Sequence, residues 1–208
     1  MAQTFSNASN AGKNADPYKA ANMETDVTIA QKIEDLSEFM SNCKFCIMTT
    51  RDSNSSGNLV SRCMALAAKE TGGIDLLFHT NTESGKTDDL NTDPHVNISF
   101  LNSSGEWASV SGKAEIVTDR ALVKKYYSPT LKAWVGDLGD GVHNGGADDP
   151  RIGIIRVRMI TSHYSISSKN ILGRAAEVAQ GTVTGKPAHV NKLREISEAE
   201  VNNWRSSH

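Results

Sequence analysis

Thr80, Ser84, Gly85 and Lys86, within the stretch FHTNTESGKTDDL at residues 78–90, combine residue types and spacing that could do chemistry. An apolar run gives way to hydroxyls, a glycine and a lysine, and the next residues read as the first turns of a helix. If Ser84 begins that helix, the backbone N–H groups of Gly85, Lys86 and Thr87 converge at its positive end, where an anion is favoured. Thr80 and Ser84 could add hydroxyl bonds, Lys86 a full charge, and Gly85 the close approach of a ligand to the main chain. Arg62, in SRCMAL, offers a second cation whose planar fork suits two phosphate oxygens. Together they could hold one dianion. The plainer alternative is a Ser-capped helix with a solvated lysine, and a strand arginine paired with a carboxylate at a rim.

Other motifs lead to less. SGKT has the ending of a nucleotide-binding P-loop, but the first glycine of that motif would fall at position 80, which is Thr. Cys43 and Cys46 form a C-x-x-C, yet it runs into KFCIMTT, a strand pattern, whereas a reactive pair belongs at a helix start. No second cysteine or histidine pair completes a zinc site. Asp137, Asp140, Asp148 and Asp149 crowd the glycine-rich segment 136–150, which reads as an exposed loop and lacks the ligand spacing of a calcium loop.

The elements that must position Arg62 and Lys86 emerge from hydrophobic period. Thr28 opens TIAQ, with capping-box spacing, and Ile29, Ile33, Leu36 and Met40 come after it at helical intervals to about Asn42. Beyond it KFCIMTT, NLVSRCMAL, IDLLFHT, HVNISFL, EWASVSGKAEIV and RIGIIRVRMITSHYSI read as six strands. In the fifth, Ala108, Val110, Gly112, Ala114 and Ile116 share one face, and Ser109, Ser111, Lys113 and Glu115 the other, as a strand buried on one side requires. RDSNSSG and KETGG are short links that favour antiparallel hairpins between the first two strands and the next pair. Short helices are expected at SGKTDDLN, TDRALVKKYY, SPTLKAWV and NILGRAAEVAQG. The expected fold is mainly β, a closed or nearly closed antiparallel barrel with peripheral helices. Residues 1–24 read as a mobile polar tail, 25–170 as the domain, and 171–208 as a C-terminal helix with a polar extension after it.

Charge and composition narrow the partners. The 208 residues carry a formal net charge of −2, with no basic patch for nucleic acid or an anionic membrane surface. No run is long and apolar enough to span a bilayer, no apolar secretory leader is evident, and three cysteines suit a reducing compartment, so a cytoplasmic location is expected.

LVSRCMAL, IDLLFHTNTESGKTDDLNTDPHVNISF, EWASVSGKAEIV and LKAWVGDL, in that order, resemble the pyridoxamine 5′-phosphate oxidase-like FMN-binding split barrels. The likeness covers roughly residues 28–170 and is greatest to their general stress protein branch, which includes blue-light-inducible proteins of filamentous fungi. The resemblance implies a homodimer of six-stranded Greek-key barrels with FMN between the subunits. Carried over by position, Arg62 and Lys86 match the basic phosphate ligands, and Thr80 and Ser84 the hydroxyl ligands beside Gly85. Cys63, Met64 and Ala65 match the strand along the flavin ring, His79 and Asn81 flank the phosphate turn, and Trp107 takes a ring-contacting position. Lys132 and Trp134 lie in the segment that would come across from the partner subunit.

Departures from the oxidases bear on function. Ala67 replaces a basic residue near the substrate, the C-terminus lacks their Arg-containing motif, and Ser165 follows Tyr164 where many stress-type relatives carry Trp. The resemblance therefore implies a flavin buffer, sensor or weak redox module, with an NAD(P)H-dependent flavin oxidoreductase acting on a small substrate as the alternative. A flavin brings its own redox chemistry, so no catalytic acid or base need be visible in the sequence.

Overall fold

The computed structural model describes residues 16–55, 57–168 and 171–208. Helix α1 (Pro17–Asn22) is capped by Asp16, whose carboxylate accepts from the Tyr18 and Lys19 amides. Helix α2 (Ile29–Asn42) is capped by Thr28, which accepts from the Gln31 amide at 3.3 Å. Gln31 donates to Asp35 instead of returning to Thr28, so only one half of the capping box forms. The buried face of α2, Ile33, Leu36, Phe39 and Met40, enters the core.

One antiparallel sheet holds β1 (Cys46–Arg51), β2 (Leu59–Met64), β3 (Ala68–Glu70), β4 (Asp75–Asn81), β5 (His95–Leu101), β6 (Trp107–Val117), β7 (Ile152–Ser167) and β8 (Asn191–Ile196). The order is β2-β1-β5-β6-β7-β4-β3, with β8 beside the second half of β7. Helices α3 (Gly85–Thr92), α4 (Arg120–Tyr126), α5 (Lys132–Val135), α6 (Ile171–Thr184) and α7 (Glu198–Arg205) complete the fold. No helix among the described residues is long and apolar enough to cross a membrane.

The strand order forces curvature. β2 and β3 stand at opposite ends of the seven-strand path, which laid flat would be about 29 Å wide at 4.8 Å per step. Only Ala65, Leu66 and Ala67 join Met64 to Ala68, however, a reach of at most about 14 Å. The sheet therefore curls until its two edges nearly meet, leaving a seam rather than a closed ladder. Inside it, Met48, Phe78, Ile98, Phe100, Val110 and Val157 share one buried cluster with the apolar face of α2. A second cluster of Leu77, Val123, Ile152 and Ile154 lies on the outside, under α4 and α5. That double coverage explains why Asp75–Phe78 and Ile152–Ile155 are buried without alternation.

The six expected strands are present, and the described residues form eight. β3 is too short to show a period, and β8 is disguised by Lys192, Arg194 and Glu195. The turn at Thr71–Gly73 joins β3 to β4 rather than β2 to β4, correcting the second hairpin. The polar extension is also ordered, because β8 and α7 occupy most of residues 191–205.

Residues 17–24 correct the expectation of a tail over 1–24; the first fifteen residues of that span lie outside the described residues. Asn22 is 1 % exposed and bonds to Ala188 O and to the Val190 and Asn191 amides, while Met23 pairs with Leu193. The segment carries no apolar period because its attachment is polar. Glu24 and Asp35 both pair with Arg194, whose side chain is 4 % exposed.

Candidate functional site

β4 ends on a turn that the Asn81 side chain and carbonyl organise. Its Oδ1 accepts from the Glu83 amide at 2.9 Å, and its carbonyl accepts from Thr80 Oγ1, Ser84 N, Ser84 Oγ and Thr87 Oγ1 at 2.7–3.2 Å. Thr82 is tied through both its amide and its hydroxyl to Arg151 O, in the turn that leads into the neighbouring β7. Ser84 takes the cap position of α3 in an extended conformation, but its hydroxyl donates to Asn81 O and makes no cap bond. Thr87 N donates to Ser84 O at 2.8 Å, so the amides presented at the helix start are those of Gly85 and Lys86, not the expected three. A Cβ added at Gly85 would meet nothing within 4 Å, which leaves open room before those amides.

The lysine is held over this turn. Lys86 Nζ donates to Ser84 Oγ at 2.9 Å, and burial followed by the nearby Arg62 charge pushes its ammonium below the usual lysine range. That electrostatic coupling sets the two cations near one another.

Arg62 projects from β2 on the core side of the sheet, opposite Met48. Its Nη1 donates to Thr50 Oγ1 at 2.8 Å and its Nη2 to Asp89 Oδ2 at 2.9 Å. Thr50 in turn donates to Asp89 Oδ2 at 3.0 Å, and Ser53 N donates to Asp89 Oδ1 at 3.0 Å. Burial alone would raise the Asp89 carboxyl, but the bonds from Ser53, Thr50 and Arg62 outweigh it and hold it below the usual carboxylate range. The rim carboxylate of the plainer reading is thus real, although Arg62 remains beside Lys86. Thr50 and Asp89 were not singled out from the sequence. Asp89 sits three residues after Lys86, on the same side of α3, and that spacing was the available signal.

One chain does not assemble every expected residue. Arg62, Ser84, Gly85 and Lys86 come together, with Thr80 and Asn81 forming the turn beneath them. His79 faces the other side of β4, where its Nε2 meets Tyr126 O at 2.9 Å. Burial lowers its pKa, partly opposed by that carbonyl. Met64 packs against the core, whereas Cys63 and Ala65 are exposed along the edge strand and the link after it. Trp107 precedes core-facing Ala108 and so stands on the opposite face of the sheet from Arg62. Lys132 and Trp134 are exposed on α5, Trp134 at 86 %. A cleft of about 400 Å³ bordered by Glu34, Ser37, Lys69 and Trp204 shares no lining residue with the Arg62 and Lys86 site.

The cysteine motif is chemically quiet. Cys43 follows the end of α2, and Cys46 is buried at the start of β1, where burial foremost raises its thiol to about 12. Among the described residues no cluster of three or more His, Cys, Asp or Glu side chains could hold a metal ion.

An arrangement of this kind could bind an anion: Lys86 and Arg62 lie near the Gly85 and Lys86 amides at the start of α3, with the Asp89 carboxylate held behind. Known proteins are similar to this chain in sequence and in fold. The chain is 70 % identical to protein bli-3 of Neurospora crassa over 207 residues, 99 % of each chain. Its fold is similar to a putative general stress protein 26 from Jannaschia sp. CCS1, with a TM-score of 0.59 and 16 % identity over 81 % of this chain and 99 % of that one. A protein related to general stress protein 26, from Clostridium acetobutylicum, gives a TM-score of 0.56 and 16 % identity over 83 % and 98 % of the two chains. The family model described as pyridoxamine 5′-phosphate oxidase like matches residues 31–189, from within α2 through β7 and α6 to the threshold of β8, and the chain belongs to that family.

Proposed function

We propose that this protein binds FMN as a homodimer and serves in the cytoplasm as a flavin buffer, sensor or weak redox module. The observation that carries the reading is that α3 engages both cations, Lys86 bonding Ser84 at the open helix start and Arg62 bonding Asp89 one turn further on. The residues present fit a phosphate monoester: Lys86 and Arg62 would neutralise it, Ser84 would turn its hydroxyl from Asn81 O to the ligand, and the Gly85 and Lys86 amides would complete the cradle. Thr80 and Asn81 would hold the turn in shape. Bound FMN would supply the redox chemistry itself.

Cys63, Met64 and Ala65 would run beside the ring. Trp107, Lys132 and Trp134 would cover it from a second copy, because on their own chain they do not meet the cations. Phe45, Ile47, Leu59 and Leu101 are exposed on or beside β1, β2 and β5, an apolar surface suited to a partner of the same kind. Free Cys43, Cys46 and Cys63 suit a reducing compartment.

Ala67 and Ser165 place small side chains where the oxidases and many stress-type relatives differ, and this favours holding a flavin over a dedicated substrate oxidation. The test is the absorption spectrum of the purified protein with and without added FMN, and then with anaerobic NADH and NADPH. Bound flavin that stays oxidised supports storage or sensing. Rapid bleaching replaces that role with an NAD(P)H-dependent oxidoreductase, and absence of any bound flavin spectrum overturns the cofactor assignment.

A further inference from the structure

We propose that Asp89 is a positioning residue that holds the Arg62 guanidinium in place and thereby sets the preference for a phosphorylated flavin over its phosphate-free form. The inference rests on the assignment of Arg62 and Lys86 to the flavin phosphate.

An arginine on an edge strand, with a side chain still 25 % exposed, has many rotamers available in water. It also lies close enough to Lys86 for the two charges to repel, which would drive the guanidinium out of the site. Asp89 removes both difficulties. Its carboxylate, on a residue 4 % exposed, is fixed from the other direction by Thr50 and the Ser53 amide. Arg62, Thr50 and Asp89 close a three-membered ring of hydrogen bonds with lengths of 2.8–3.0 Å. The ring uses two of the five guanidinium N–H groups, one on each terminal nitrogen, and leaves the others for an incoming anion.

Helix α3 thus sets both cations. It carries Lys86 directly and grips Arg62 through Asp89, one turn further on. A carboxylate beside an anion site opposes the anion by charge, so the arrangement is useful only through the order it imposes. Holding a long side chain in its bound rotamer before the ligand arrives removes that ordering cost from binding.

The experiment measures FMN and riboflavin dissociation constants, with melting temperatures, for the wild-type protein and for Arg62→Ala, Asp89→Ala, Asp89→Asn and the Arg62→Ala/Asp89→Ala pair. Asp89→Ala is expected to weaken FMN at least tenfold while changing riboflavin less than twofold. In the Arg62→Ala background its further effect on FMN should be less than twofold, because the group it positions is gone. Asp89→Asn keeps the shape and serves if the alanine variant fails to fold; a loss of FMN preference is expected there too. Equal weakening of both flavins, tighter FMN binding, or effects that multiply in the double variant would overturn the positioning role. If Arg62→Ala itself leaves the FMN-to-riboflavin ratio unchanged, the phosphate assignment fails first.

Discussion

Arg151 and Asp149 form an ion pair shut away from water, with Nη2 and Oδ2 2.7 Å apart and side chains 6 % and 0 % exposed. The same guanidinium donates to Val135 O and Gly136 O at the end of α5, and Asp149 accepts from the Gly145 amide. Through its own carbonyl Arg151 also receives Thr82 of the proposed phosphate turn. One buried pair therefore ties the turn, α5 and the glycine-rich loop together.

Asp149→Asn should strand the Arg151 charge and cost about 3–5 kcal/mol. The Arg151 hydrogen bond holds the Asp149 carboxyl at about 2 in the folded protein, below its ordinary value of 3.8. A depressed folded pKa stabilises the protein above the unfolded value, and the benefit disappears as pH falls from about 4 toward 2. Melting temperatures measured from pH 7 to pH 2 should show the wild type losing stability over that interval, and Asp149→Asn starting lower with a flatter acid limb. Parallel curves would show that Asp149 contributes no such acid dependence.

Lys86→Ala and Arg62→Ala should each weaken FMN binding by about 1.5–3 kcal/mol, the range for charge-assisted bonds in a partly dry site. Titration calorimetry at two salt concentrations separates this from a loss of shape, because a missing charge also reduces the salt dependence. Full FMN affinity in both variants would remove the phosphate assignment.

Apolar or alternating runs marked six of the strands, and where one face of the sheet is wet it writes its geometry into the chain, as Ala108, Val110 and Ala114 against Ser111, Lys113 and Glu115 show. The turn after β4 was legible for a similar reason: Ser84, Gly85 and Lys86 are local in sequence as well as in space. Asp89 was harder to read because its partners, Thr50 and Arg62, come from two strands distant in the chain, and its spacing from Lys86 on α3 was the one local signal. β8 was hidden by the inversion of an ordinary rule. Arg194, 4 % exposed, is buried by its acidic partners and by Tyr164 rather than by apolar character, so polarity there signalled a tail when it marked an interior network.

The N-terminal segment should accordingly matter for stability. Removing residues 1–24 deletes Glu24 from the Arg194 pair and withdraws Asn22, which bonds to Ala188 O and to the Val190 and Asn191 amides. Stranded buried groups of this kind cost about 1–3 kcal/mol each. The truncated protein should melt several degrees lower, and Glu24→Ala should reproduce part of the fall. An unchanged melting temperature in both would show that the segment does not hold β8.

The second copy is testable at β1 and β5. Ile47 is 42 % exposed and Leu101 69 % exposed, on the face opposite the barrel interior, with Leu59 at 67 % on the edge strand. Between the apolar side chains, Asn97, Ser99 and Ser109 hydrogen-bond to one another, and Thr49 bonds to Ser61, so this face is ordered before any partner arrives. A stable dimer would have to cover about 1,000 Å² or more in total, with a well-packed centre. Ile47→Glu and Leu101→Glu each place a charge there that pairing would have to dehydrate without a counter-charge, a penalty large enough to separate the subunits. Sedimentation should give a dimer for the wild type and a monomer for the variants. FMN affinity should fall with it, because Trp107, Lys132 and Trp134 would no longer reach the partner's flavin. A wild-type monomer that binds FMN fully would place every ligand contact on one chain, and would return Trp134, 86 % exposed on α5, to the status of an uncovered surface residue.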